Sequence, residues 1–82
     1  MFYYTYVLKS KKDGKLYVGF CEVLKLRLQE HQSGLVKSTK NRRPWELVYF
    51  EACKNKINAI NREKQLKTGF GRAYLKRRIK DL

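Results

Sequence analysis

The amino-acid sequence predicts an α+β fold, a three-stranded antiparallel sheet flanked by helices in the order ββαβαα. Two aromatic and β-branched segments surround an Asp-Gly turn signal, and a third alternating segment follows later in the chain. Three other segments show helical spacing of their apolar residues. A sheet with helices packed on it is the simplest architecture for this order. The chain has 82 residues, so we expect a single domain over residues 1–82.

The first two strands are expected over residues 2–8 and 16–20. With Asp-Gly as a two-residue hairpin loop, Tyr6 pairs with Cys21 and Leu8 pairs with Gly19. Because side chains alternate along a strand, the two faces of the hairpin differ in composition. One face carries Tyr4, Tyr6, Tyr17 and Gly19, and the other carries Tyr3, Thr5, Val7, Leu16, Val18 and Phe20. We expect the second face to be the main core layer.

Periodicity and helix-breaking residues define the rest of the chain. The expected elements are a helix over 23–33, a strand over 45–51, a helix over 57–67 and a helix over 72–82. Gly34 ends the first helix, and Asn55 can cap the second. The polar, basic loop over 37–44 is expected to be exposed and irregular. The last helix has a narrow apolar stripe of Leu75, Ile79 and Leu82.

The charge of the chain indicates a polyanionic partner. Lys and Arg number 20 against 7 Asp and Glu, which gives a formal net charge of +13. Nucleic acid is the expected partner, because no basic helix carries the bulky apolar face of a membrane-surface binder. Neither a signal peptide nor a membrane-spanning segment is evident, so we expect a cytoplasmic protein. Two cysteines and one histidine are too few for a structural zinc site and are typical of reduced thiols.

Glu63 lies where the second helix should carry an apolar side chain. At about 100° per residue it falls between Ile60 on one side and Ala59 and Leu66 on the other. Burying an unpaired carboxylate costs several kcal/mol. The group is therefore expected to be paired, bound to a metal or exposed in a cleft, and Arg27 is one candidate partner.

Other unusual placements accompany Glu63. Arg27 and His31 lie on the inward side of the first helix, and Tyr6 and Tyr17 lie on the hairpin face with the glycine gap. Each has an ordinary explanation: a packed tyrosine, a snorkelling arginine or a hydrogen-bonded histidine. Together they form a set that could hold a cation, bind a phosphate and move a proton.

Four short motifs in order resemble the GIY-YIG nuclease domain, and in particular its small stand-alone UvrC-like, UPF0213 group. They are Tyr4-Thr5-Tyr6-Val7-Leu8, Leu16-Tyr17-Val18-Gly19, Leu24 to His31, and Ala59 to Lys67. The resemblance covers nearly the whole chain. The sequence departs from the family pattern at three places. Tyr4-Thr5 replaces Gly-Ile, and Cys21 occupies a position where a small hydroxyl residue is common. No asparagine follows Asn61, although many family nucleases use a late asparagine in the active site.

The resemblance implies hydrolysis of DNA phosphodiester bonds, with possible roles in repair or recombination, using one divalent cation, Mg²⁺ or Mn²⁺, held by Glu63. It implies that Tyr6 and Tyr17 position or deprotonate the attacking water, with His31 as an alternative base, and that Arg27 stabilises the phosphate. The residues expected to contact flanking phosphates are Lys37, Lys40, Arg42, Arg43 and Lys67. A monomer or weak dimer is expected.

Two other functions compete with a nuclease. The first is a catalytically inactive nucleic-acid binder that uses the same basic surface. The second is a structural subunit that docks through the apolar stripe of the last helix, although so narrow a stripe is typical of ordinary core. The nuclease is favoured because binding alone does not require the tyrosines, Arg27 and Glu63 to converge.

Overall fold

A computed structural model describes residues 1–80. Its elements are β1 (Tyr3–Ser10), β2 (Leu16–Cys21), α1 (Leu24–Ser33), a short 3₁₀ helix (Lys40–Arg42), β3 (Trp45–Cys53), α2 (Lys56–Leu66) and α3 (Gly69–Arg78). The predicted order ββαβαα and the α+β class are confirmed. The part of the apolar stripe predicted at Leu82 lies outside the described residues.

The three strands form one antiparallel sheet in the order β2-β1-β3, so β1 is central. The β1–β3 register shifts between Val7 and Leu8. This irregularity changes which face the β3 side chains occupy. Trp45 and Leu47 consequently pack on one face of the sheet, whereas Val48 and Tyr49 pack on the other.

The predicted hairpin register is wrong by two residues, but the predicted faces are right. Tyr6 pairs with Gly19 and Leu8 with Tyr17, because the loop is longer than two residues. The Ser10 hydroxyl accepts hydrogen bonds from the backbone N–H groups of residues 12 and 13, and Gly14 has φ 73°. A shift of two residues keeps every side chain on its own face.

Both faces of the sheet are buried, which corrects the expectation of one main core layer. On one face Tyr6, Leu8, Cys21 and Trp45 pack under Leu24 and Leu28 of α1. The buried residues of the opposite face are Val7, Val18, Leu66 and Leu75. Helix α1 therefore covers one face of the sheet, and α2 and α3 cover the other.

Several segments differ from expectation, since β1 extends to Ser10, β3 extends to Cys53 and α3 ends at Arg78. Helix α3 begins at Gly69, three residues early, because the Thr68 hydroxyl accepts a hydrogen bond from the Gly71 N–H and caps it. The basic loop contains a 3₁₀ helix and is not wholly exposed, since Thr39 is fully buried. The predicted cap at Asn55 and the stop at Gly34 are confirmed.

Within residues 1–80, none of the helices combines the length and hydropathy needed to cross a lipid bilayer.

Candidate functional site

The Tyr6 hydroxyl joins three of the predicted site residues. It lies 2.8 Å from His31 Nε2 and 3.4 Å from Arg27 Nε. Tyr6 comes from the central strand, and the other two residues lie one helical turn apart on α1, which packs over that strand. The inward placement predicted for His31 is confirmed by its complete burial.

The hydrogen bonds beyond His31 indicate which atoms of this network donate and which accept. The Thr39 hydroxyl donates to the Val36 carbonyl at 3.3 Å and lies 2.8 Å from His31 Nδ1. Because the Thr39 proton is used in this bond and the Tyr6 oxygen accepts from Arg27 Nε, we assign Nδ1–H as the donor to Thr39 and Nε2 as the acceptor of the Tyr6 hydroxyl proton. The result is a buried chain from Tyr6 through His31 to Thr39.

The electrostatics agree with that direction. Burial raises the pKa of Tyr6 to about 12, although the Arg27 guanidinium opposes the shift. Burial, and then the positive charge of Arg27, lower the pKa of His31. At neutral pH the phenol therefore keeps its proton, and the imidazole is neutral and free to accept a hydrogen bond.

The members of this group differ in their access to solvent. Tyr6 and His31 are fully buried, whereas Tyr17 and Arg27 are only partly buried. The Tyr17 ring lies 5.3 Å from the His31 ring, measured between centroids. Arg27 also forms an ion pair with Glu30 at 3.0 Å. Tyr17 and Arg27 are thus the members best placed to touch a substrate.

Gly19 makes room for the Tyr6 hydroxyl. A Cβ atom at this position would lie 2.4 Å from the Tyr6 ring and from its oxygen. The gap that the sequence shows among the tyrosines is therefore filled by the Tyr6 side chain of the neighbouring strand.

A groove runs beside Tyr17, between strand β2 at the edge of the sheet and helices α2 and α3. Its volume is about 940 Å³. Asp13, the acidic residue on its wall, is engaged by Arg42 at 2.9 Å. The basic residues that line it are Lys15, Arg42, Lys67, Arg72 and Lys76. A groove of this charge suits a phosphate backbone.

Glu63 occupies a different position from the tyrosine network. It lies on α2, which covers the opposite face of the sheet from α1, and its side chain is 21% exposed. Its carboxylate forms an ion pair with Lys67 at 2.9 Å. The suggested Glu63–Arg27 pair is wrong, since each has another partner. Lys67 lines the same groove as Tyr17, but Glu63 and Arg27 are not among the residues that line it, so the expected convergence of both with the tyrosines in one cleft is not seen.

Glu63 offers a single carboxylate, which suits a cation that keeps water as most of its ligands. Among residues 1–80, no three His, Cys, Asp or Glu side chains are grouped as a metal cluster. Mg²⁺ nevertheless binds commonly through one or two carboxylates, with water and substrate phosphate as the other ligands. A partly exposed Lys–Glu pair contributes only a few tenths of a kcal/mol, so a cation could displace the Lys67 ammonium from the carboxylate.

The predicted phosphate-contacting residues are dispersed. Lys37 and Lys40 are exposed on the loop before β3. Arg42 pairs with Asp13, and its guanidinium lies 4.8 Å from the Trp45 ring centroid. Arg43 donates to the Lys40 carbonyl at 2.8 Å. Of the five, Arg42 and Lys67 line the groove.

Several groove and network residues are absent from the predicted set. They are Lys15, Thr39, Arg72 and Lys76. The basic composition of the last helix was a sequence signal that Arg72 and Lys76 could contact DNA phosphates. Thr39 carries no comparable signal, because a loop threonine gives no indication that it will meet a helix histidine.

The family model for the GIY-YIG catalytic domain matches residues 2–80, so the chain belongs to the GIY-YIG family. This is a family of nucleases, its domain implies a nucleic-acid substrate, and its members generally use a divalent metal ion.

Within that family the chain is similar to UPF0213 proteins. It is 42% identical over 67 residues to the UPF0213 protein of Staphylococcus saprophyticus, which covers 80% of each chain. Over the same length and coverage it is 40% identical to a Staphylococcus epidermidis relative. The solution NMR structure of the UPF0213 protein from Bacillus halodurans is 32% identical, with a TM-score of 0.57 over 92% of this chain and 82% of that one.

Proposed function

We propose that this protein is a metal-dependent DNA endonuclease that hydrolyses phosphodiester bonds. The observation that carries the proposal is the hydrogen bonding of one tyrosine hydroxyl to both Arg27 and His31, next to Tyr17, which packs on His31 and lines a basic groove. A nucleic-acid binder needs the groove. It has no need for a buried network that orients a partly exposed arginine and a second tyrosine.

In this proposal Arg27 and Tyr17 contact the scissile phosphate. The Arg27 guanidinium, held at Nε by Tyr6 and at Nη1 by Glu30, donates the N–H groups that these partners leave free to the phosphate oxygens and stabilises their charge. The Tyr17 hydroxyl positions the attacking water through a hydrogen bond. Tyr6 and His31 are buried and contact substrate in no step. Their role is to hold Arg27 and Tyr17 in position.

Glu63 is the residue that would hold the cation. When bound, a divalent cation supplies charge stabilisation for the departing oxygen. Lys67, once released from Glu63, lines the groove as a free ammonium group and can contact a flanking phosphate.

A catalytically inactive DNA-binding module is the second candidate. It is favoured by the engagement of Glu63 with Lys67 and by the complete burial of the Tyr6 hydroxyl. It uses the same groove cations and predicts the same dependence of binding on salt. Cleavage is therefore the property that separates the two candidates.

The test is cleavage of supercoiled plasmid and branched DNA by the purified protein with Mg²⁺ or Mn²⁺. We expect nicking or linearisation, and its loss in Glu63→Ala, which should still bind DNA in EDTA at least as well as the wild type. Arg27→Ala should lower the cleavage rate by about 10²–10³-fold, the usual effect of removing one charge-stabilising donor. The matched control is Glu46→Ala, which removes an exposed carboxylate from β3 and should cleave normally.

Two outcomes would contradict the nuclease. Failure of the wild type to cleave any duplex, flap or single-stranded DNA would favour the binder. Equal cleavage by Glu63→Ala and wild type would assign the observed activity to a contaminant.

A further inference from the structure

Phe70 is the most exposed large apolar side chain in the described residues. Its relative exposure is 88%. It borders a shallow groove on the outer side of α2 and α3, where its neighbours include Arg62, Tyr74 and Arg77. A single exposed phenylalanine is common on protein surfaces. Its position among cationic side chains is what requires explanation.

The backbone that carries Phe70 is held firmly. Thr68 caps the helix on one side of it, with its hydroxyl accepting from the Gly71 N–H at 3.3 Å. On the other side a Cβ atom at Gly71 would lie 2.3 Å from the Leu66 Cα, so the two helices meet at backbone contact. Phe70 is thus presented at the fixed start of α3, which reduces the entropy lost when its ring binds a ligand.

The chain segment that contains Phe70 is strongly basic, although Arg62 in the same shallow groove is paired with Glu51 at 2.9 Å. The sequence from 64 to 80 contains no acidic residue, and its basic residues are Lys64, Lys67, Arg72, Lys76, Arg77, Arg78 and Lys80. The Tyr74 ring is already covered, since the Arg62 guanidinium lies 4.5 Å and that of Arg78 5.9 Å from its centroid. The Phe70 ring is therefore the exposed aromatic surface in this positive region.

Phe70 and the groove beside Tyr17 are close in sequence but lie on different faces of α3. Phe70 is the second residue of α3, and it borders the shallow groove with Arg77, whereas Arg72 lines the groove beside Tyr17. A strand with a phosphate bound by Arg77 would place an unpaired base beside the Phe70 ring. A paired base would remain in its duplex and present no open ring face.

We propose that Phe70 is a stacking platform for an unpaired base of DNA, which gives the protein a preference for single-stranded or branched substrates. The proposal rests on the proposed function in taking DNA as the ligand, and it does not depend on cleavage. Stacking on an aromatic side chain is tolerant of base identity, and cations beside the ring bind the backbone. A lipid surface suits this site poorly, because Phe70 is the one large apolar side chain exposed on α3, whereas membrane-surface helices present a broad apolar face.

The test is binding in EDTA to two fluorescently labelled probes of the same sequence, a single strand and its blunt duplex. Stacking of one base contributes about 1–3 kcal/mol, so Phe70→Ala should weaken binding to the single strand by about tenfold. Binding to the duplex should change by less than twofold. Phe70→Trp should restore binding to the single strand, whereas Phe70→Leu, which keeps an apolar side chain without a ring, should not.

The control variant is Phe50→Ala, which removes a half-exposed phenylalanine from β3 and should leave both affinities unchanged. Equal binding of Phe70→Ala and wild type to the single strand would overturn the proposal. An equal loss of affinity for both probes would also overturn it, as would wild-type affinity of Phe70→Leu for the single strand. Because no divalent cation is present, an inactive nuclease would leave these expectations intact, and a failed stacking test would leave the nuclease proposal standing.

Discussion

The three contacts of the Tyr6 hydroxyl network show which residues a sequence can and cannot identify. Helix periodicity alone placed Arg27 and His31 toward the sheet, and strand alternation placed Tyr6 and Tyr17 together. The partner of His31 could not be predicted, because Thr39 comes from a loop whose path is decided by tertiary packing. The pairing of Glu63 with Lys67 was predictable from the sequence, because Lys67 is four residues later on the same helix face.

The burial of His31 makes folding stability depend on pH. Its pKa is lowered in the folded protein, so the neutral form is favoured there, while an unfolded histidine titrates near 6.5. The resulting stability is fully present above the unfolded pKa and is lost as pH falls toward the folded pKa. We expect the unfolding free energy to decrease between pH 7.5 and 5.5, with a slope limited to about 1.4 kcal/mol per pH unit for one proton. Urea denaturation at pH 7.5 and pH 5.5 measures this decrease in the unfolding free energy.

The control for this pH effect is His31→Gln, which keeps a hydrogen-bonding side chain but cannot titrate. This variant should be less stable than the wild type at pH 7.5 and should lose less stability on acidification. An equal loss in both proteins would show that His31 is not the group responsible.

Element boundaries were predicted where the signal is local and missed where a side chain alters it. The glycine stop of α1 and the Asn55 cap of α2 are local signals, and both are confirmed. The hairpin register failed because Ser10 supplies an acceptor for two loop amides and so favours a longer loop. The start of α3 was missed because Thr68 works as a cap in a segment that otherwise looks like a helix breaker.

The α2–α3 turn should be intolerant of a side chain at Gly71 and tolerant of one at Gly69. A methyl group at Gly71 would meet the Leu66 backbone, whereas at Gly69 it meets nothing within 4 Å. We expect Gly71→Ala to reduce the unfolding free energy by about 1–3 kcal/mol, as overpacking usually does. Gly69→Ala, the matched control, should be neutral or slightly stabilising because it only restricts the unfolded chain. Urea denaturation of both variants compares them, and equal stabilities would contradict the close contact.

Composition predicted the polyanionic partner at the scale of the whole molecule, but it could not locate the surface. Cations are spread along the chain, so no single segment stands out. The groove forms only when the hairpin loop, the segment before β3 and helices α2 and α3 come together around β2. The basic loop appeared to be the phosphate-contacting segment, and of its candidates only Arg42 lines the groove.

If the groove is the DNA-binding surface, removing its cations should change the salt dependence of binding more than removing others. The groove variant replaces Lys15, Arg72 and Lys76 with Gln, and the control replaces Lys25, Lys54 and Lys56, which lie outside the groove lining. Each lost phosphate contact lowers the slope of log K against log salt by about 0.9 on duplex DNA. We therefore expect the groove variant to lose roughly 2 to 3 from the slope measured by fluorescence anisotropy in EDTA, and the control, which loses the same net charge, to lose clearly less. Equal slopes in the two variants would mean that binding follows total charge, and the groove would then have no special part in holding DNA.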